Sequence, residues 1–356
     1  MEYKILEIVD EINCVVIYKH HCAYVKKKEL YLNGINLNVT TSLCGSLINN
    51  KLFYSQSLDY NNFSKDMETG EITNLGSIQT LFYSEYFNKY IGIERSEFQK
   101  KLIIFEFESQ VSSNLLDDLE FTPRLIAENF IIYQKDRTIL GVFNIFDLAD
   151  NWQVNVNLKF ADINKQDRIT KTLGIVNEII WVMVDYLNLM GLSLIGGSLV
   201  QQFSLNDLLP PENKYRWLFP HFDEDAGTIS YCESNAYFVL DLKTLKIIDF
   251  HSFITPDKSK QWTIVSCTMD DDFVYFNGNL GGSFFSPSAV GIFDRHKKEV
   301  VWYEDLKLYE QDQYRFINHP PQYGGGKLYV HDSKGTLYIY EREDLKLTLD
   351  NRYPRS

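Results

Sequence analysis

An all-β fold, a β-propeller of four-stranded antiparallel blades, is what this sequence predicts, on three observations. β-rich runs recur at a drifting but similar interval, turn residues separate them, and long helical periodicity is hard to find. The runs begin near Val15, Leu52, Tyr90, Ile131, Ile179, Thr228, Phe273 and Leu328, at separations of 37, 38, 41, 48, 49, 45 and 55 residues. Each interval has room for four short strands and their turns. One sheet of that size cannot bury both of its faces, so it stacks on copies of itself and the ring closes. Aromatic side chains, 23 Tyr and 24 Phe, suit such pleated, half-buried surfaces.

Eight units fit the chain better than seven. Residues 1–40 divide into four strands of their own, Tyr3–Ile8, Cys14–Tyr18, Ala23–Lys27 and Glu29–Leu32, and make the first unit. The unit around Phe130 reads as Phe130–Tyr133, Gly141–Phe146 and Trp152–Val156. The sixth closes with Tyr237–Leu242, a turn at Lys243-Thr244, then Leu245–Phe250. The seventh reads as Trp262–Thr268, Asp272–Phe276, Ala289–Asp294 and Glu299–Tyr303. In the eighth, Lys327–His331 and Thr336–Tyr340 flank the turn residues Asp332-Ser333-Lys334-Gly335. Leu345–Leu349 supplies that unit with an outer strand, so the N-terminus is not needed to complete it. Pro210-Pro211 and Pro320-Pro321 mark connections between units. On this parsing residues 1–356 form a single propeller domain.

The hairpins AVGIFDRHKKEVVWYEDL and YFVLDLKTLKIIDF share a form: a strand, an Asp, a short turn and a returning strand. This form resembles the repeat of the pyrroloquinoline-quinone-type, or quinoprotein-like, propeller superfamily. The resemblance implies the fold. Enzymes of that superfamily need an export signal, a calcium site and a platform for the quinone ring. This sequence shows no such signal and no recognisable ligand set, so the resemblance carries over neither the cofactor nor the dehydrogenase chemistry. No cofactor is expected.

The charge balance is 35 basic against 48 acidic residues, a net charge of −13. A chain so acidic repels a phosphate backbone unless it holds a local basic stripe. The only basic triplet, Lys26-Lys27-Lys28, reads as a solvated strand edge, so no nucleic-acid partner is expected. No apolar run reaches the ~18 residues of a membrane span. The most apolar stretch, Ile175–Val200, is broken by Asn177, Glu178, Asp185 and Asn188, and no membrane contact is expected. The segment MEYKILEIVDEINC lacks the apolar core of an export signal. Cys14, Cys22, Cys44, Cys232 and Cys267 read as reduced, packed thiols of a cytoplasmic protein.

No motif reaches an enzyme signature. Asp223-Glu224-Asp225-Ala226-Gly227 starts like a calcium loop, but the twelfth position falls on Ser234 or Asn235 and not on Glu. Asp270-Asp271-Asp272 offers three carboxylates on successive residues, which alternate sides along a strand and so cannot face one another. His20-His21-Cys22, with Cys14 upstream, lacks the second ligand pair of a zinc site. Gly191–Gly197 reads as close blade packing and not as a phosphate cradle.

The stretch Asn277–Ser288 is the one long insertion inside a blade. It carries Asn279 and the pair Phe284-Phe285 between flexible flanks. In a propeller it emerges on the same face as the connections Leu208–Arg216 and Lys307–Arg315, which hold Glu212 and Glu310. This rim is the expected recognition surface, with Asp223, Glu224, Asp225, Asp270 and Asp271 as further acidic contacts. The function this suggests is non-catalytic protein binding. One form is a cytosolic inhibitor or immunity protein that neutralises a basic toxin, because negative charge speeds its capture. The alternative is a glycan-active hydrolase or lectin-like module on the ring axis.

Overall fold

The structure is a computed structural model. It describes residues 2–342 apart from 19–20, 42–44, 57–60, 98, 108, 110–111, 147–151, 157–167, 187, 209–219, 254–261 and 282–285. Its strands form eight four-stranded antiparallel sheets, the blades of a propeller. Blades 1 to 7 each use four consecutive strands and begin at Ile12, Ser46, Ile78, Thr122, Ile169, His221 and Trp262. Blade 7 follows the predicted parsing closely, with strands Trp262–Met269, Phe273–Leu280, Ala289–Asp294 and Glu299–Asp305.

Blade 8 corrects the sequence reading. Its three inner strands are Gln322–Gly324, Lys327–His331 and Leu337–Arg342, and its outermost is Tyr3–Val9, from the other end of the chain. The N-terminal strand therefore closes the ring and does not belong to blade 1. Tyr3 pairs with Arg342 and Val9 with Leu337. Tyr3 packs its ring 5.1 Å from Trp302 of blade 7, while Val9 packs with Ile12 and Leu337 across the seam to blade 1. Polar ties complete the seam. The Ile12 N–H donates to the Gly335 carbonyl at 2.7 Å, and the Thr336 hydroxyl donates to Asp10 at 2.9 Å. The proposed outer strand Leu345–Leu349 lies outside the described residues. The same displacement explains the first sequence marker. Val15 falls on the first strand of its blade, whereas the other seven fall on second strands.

First strands line the axis, those of blades 1 and 2, 3 and 4, 4 and 5, and 8 and 1 packing directly against each other. They all run the same way, so one face, here the upper, carries the connections between blades and those between second and third strands. The lower face carries the remaining hairpins. The first strands of blades 1, 3, 4, 5 and 7 each break register, for example between Pro123 and Leu125 and between Ile169 and Lys171. Such bulges add twist and re-aim a side chain.

Two local rules recur among the blades. In blades 2, 6 and 7 the last hairpin turns on an Asp: Asp66, Asp241 and Asp294 each accept the N–H groups two and three residues on. The fourth residue on (Gly70, Leu245 or Lys298) is left-handed, and its N–H returns to the Asp carbonyl. The Thr244 N–H is the main reason that the Asp241 carboxyl lies below the usual range. In blades 4, 5 and 7 an aromatic residue of the second strand faces a glycine of the third: Tyr133 on Gly141, Trp181 on Gly191 and Phe276 on Gly291. A Cβ at Gly141 would stand 2.3 Å from the Tyr133 ring, so the ring fills the space that glycine leaves.

The second strand of blade 5, Ile179–Val184, is reached through a two-residue turn, Asn177-Glu178, with φ of 52° and 60°. Glycine takes this conformation without the Cβ penalty that Glu bears. Glu178→Gly is expected to raise unfolding stability by about 0.5–1 kcal/mol. Urea unfolding checks this, and a lower midpoint would contradict the turn assignment.

The cysteines depart from the expectation of five reduced thiols. Cys14 is disulfide-bonded, and Cys22, Cys232 and Cys267 are free. Cys44 lies outside the described residues. Burial pushes the Cys22 thiol up to about 12.

Candidate functional site

A cavity of about 990 Å³ opens on the upper face beside the axis, where the first strands of blades 4 and 5 meet. Among the described residues its wall carries four cations, Arg124, Arg137, Arg168 and Lys171, against one carboxylate, Asp185. Each cation is placed by a different piece of backbone. Arg124 is the residue skipped by the bulge in strand Thr122–Ala127, and its Nε donates to Gln134 Oε1 at 3.1 Å. Arg137 sits in the turn between the second and third strands of blade 4. Its carbonyl accepts the Ile169 N–H at 2.7 Å, which pins that turn beside the start of blade 5. Arg168 enters strand Ile169–Val176, and Lys171 follows the first bulge of that strand.

Lys171 Nζ reaches towards blade 6 and donates to the Pro220 carbonyl at 3.0 Å. Partial burial holds its pKa below that of an ordinary lysine. Asp185 offsets one of these charges and leaves an excess of three among the described lining residues. Asp185 Oδ1 already accepts the Arg168 N–H at 3.2 Å, and the Asp185 N–H returns to the Arg168 carbonyl at 2.9 Å. Asp185 and Tyr186 are both left-handed, with φ of 47° and 63°, in a turn whose two residues line the cavity. Thr172 Oγ1 is buried in the wall and has no hydrogen-bond partner. The arrangement suits an anionic group: a concave site of one sign focuses the field even on a chain of net charge −13.

The residues expected to bind a partner fall on two faces. Glu310 lies on the upper face, exposed in the short helix Leu308–Gln311. Asn279 belongs to strand Phe273–Leu280 and not to a loop, and its Oδ1 accepts the Ser288 N–H at 3.2 Å. The insertion is correspondingly shorter than its sequence suggested. Phe284, Phe285 and Glu212 lie outside the described residues. Asp223, Glu224, Asp225, Asp270 and Asp271 are brought together on the lower face, in the first turns of the adjacent blades 6 and 7. Their carboxylates have local duties. Asp223 accepts the Ala226 N–H, and Asp270 accepts the Asp272 and Phe273 N–H groups and the Tyr275 hydroxyl. Arg295 stands among them, bonded to the Asp270 carbonyl and to Tyr237 and Ser230 hydroxyls.

The motifs read as non-catalytic behave as turns and hairpins. His21 Nδ1 bonds the Asn33 amide at 3.1 Å, and no group able to hold a metal ion is found among the described residues. Asp185 is the one carboxylate lining this cavity among the described residues.

Sequence reasoning missed the four cations because they are spread from position 124 to position 171 and form no run. One signal was present. Arg137 and Arg168 each follow an Asp in the sequence, and the ring brings the two arginine positions side by side, the Arg137 carbonyl accepting the Ile169 N–H.

Likeness to solved structures covers nearly the whole chain. The C-terminal WD40 domain of Sif2 superimposes with a TM-score of 0.60 at 12% identity, over 96% of this chain and 98% of that one. Sqt1 of Saccharomyces cerevisiae gives 0.57 at 9% identity over 95% and 99% of the two chains. BamB of Moraxella catarrhalis gives 0.54 at 10% identity over 96% and 100%. The likeness is one of fold alone. No family model and no curated protein matches the sequence.

Proposed function

We propose that this chain is a non-catalytic binding propeller that seats the anionic group of a ligand or partner in the upper cavity between blades 4 and 5. The observation that carries this reading is the convergence of Arg124, Arg137, Arg168 and Lys171 on one concave wall. Cations held by backbone in advance bind an anion at less ordering cost than flexible surface lysines. The Asp-turn hairpins of blades 2, 6 and 7 support kinship with the quinoprotein-like propellers, without their cofactor.

A second reading rests on the opposite face. The acidic turns Asp223–Asp225 and Asp270–Asp272 are neighbours there, and with the net charge of −13 they support capture of a basic protein by a cytoplasmic inhibitor.

One experiment separates the two readings. Wild type, Arg137→Glu/Arg168→Glu and Asp225→Lys/Asp271→Lys chains are immobilised and exposed to host extract at low and moderate salt. Loss of bound partner on the first variant alone supports the upper cavity, and loss on the second alone supports the acidic face. Equal capture by all three discards both.

A further inference from the structure

Resting on the cavity reading above, we infer that the occupant is a compact polyphosphate group carried by a small molecule. The charge excess sets the demand. Among the described lining residues four cations face one carboxylate, an excess of three positive charges. A single carboxylate leaves most of this charge unanswered and a sulfate part of it, whereas a short phosphate chain packs three or four negative charges into a few ångströms. Three of the four cations are arginines, whose planar forks meet phosphate oxygens two at a time. Lys171 adds a point charge.

Size and surroundings narrow the class. A cavity of about 990 Å³ lies at the large end of small-molecule sites and exceeds what one inorganic phosphate fills. Tyr186 also lines the cavity and offers a ring on which a flat or ring-shaped body attached to the phosphates would rest. A long polyanion is disfavoured. Beyond the cavity the chain is even more acidic than its net −13, so an extended nucleic acid meets repulsion that a compact ligand escapes.

Isothermal titration with inorganic tripolyphosphate tests this, with hexaglutamate as a carboxylate control. ATP and inositol hexakisphosphate form further arms that distinguish a nucleotide source from a cyclitol source. Tripolyphosphate is expected to bind wild type and to bind Arg137→Glu/Arg168→Glu at least about 100-fold more weakly, two charge-assisted contacts being lost and reversed. Arg124→Gln, a milder change, should weaken it about 10-fold. It serves if the double variant does not fold. Absence of tripolyphosphate binding, or binding that no variant weakens, overturns the inference. Hexaglutamate binding that the variants abolish, with no tripolyphosphate binding, overturns it while the cavity reading stands. Binding of neither anion removes both.

Discussion

Deleting residues 1–9 is expected to open the ring and abolish cooperative unfolding. The strand Tyr3–Val9 is the only partner that the outer edge of Leu337–Arg342 has among the described residues. Its loss exposes that edge, removes a hydrogen-bonded ladder, and unburies Tyr3 and Val9, which are 7% and 4% exposed. Two such side chains account for roughly 3–6 kcal/mol. Ladder bonds add roughly 0.5–1.5 kcal/mol each. The sum rivals the 5–15 kcal/mol that typically separates a folded domain from its unfolded chain. The truncated chain should show a broad, early thermal transition by circular dichroism and should associate through the bare edge on gel filtration. A peptide of residues 1–11 supplied in trans should restore part of the lost stability. A sharp melt within a few degrees of the full chain would show that another segment, such as Leu345–Leu349, takes the vacated place.

The second large effect is expected at Asp332. This carboxylate is fully buried and accepts four hydrogen bonds: from Arg315 Nε at 2.7 Å, from the Lys334 and Thr336 N–H groups at 2.9 Å, and from the Tyr338 hydroxyl at 3.3 Å. Arg315 also donates to the Thr336 and Tyr338 hydroxyls at 2.9 Å. It thereby fastens the connection from blade 7 to the hairpin of blade 8. Asp332→Ala strands a guanidinium and a hydroxyl in a largely closed site and should cost about 3–5 kcal/mol. Asp332→Asn keeps an acceptor oxygen and should cost less. Denaturant unfolding reads both, and an alanine variant within 1 kcal/mol of wild type would refute the network. Thr336 also bonds Asp10, so Asp332→Ala and removal of the N-terminal strand should combine non-additively.

What the sequence revealed was local, and what it hid was assembled. The hairpins of blades 6 and 7 were legible because their signals, β-rich runs and an Asp turn, lie within a dozen residues of each other. The phase of blade 1 was not. Tyr3–Ile8 is a good strand in any blade, and only its fit against Trp302 and Leu337, at the far end of the chain, assigns it to the last. The cationic wall was hidden for the same reason. Arg124 and Lys171 are unremarkable in their own strands, and the bulges that aim them leave no clear mark in composition. The acidic groups were visible as runs, yet a run of carboxylates does not say how many serve the backbone. Asp270 spends its oxygens on its own turn.

The way the ring is fastened has a consequence for synthesis in the cell. His331 bonds a carbonyl 319 positions earlier, and Thr336 bonds a side chain 326 positions earlier. At translation rates of roughly 5–20 residues per second, the first strand leaves the ribosome tens of seconds before its neighbour exists. During that interval it is a bare ribbon rich in Ile and Leu, and a chaperone that shields nascent chains should find it there.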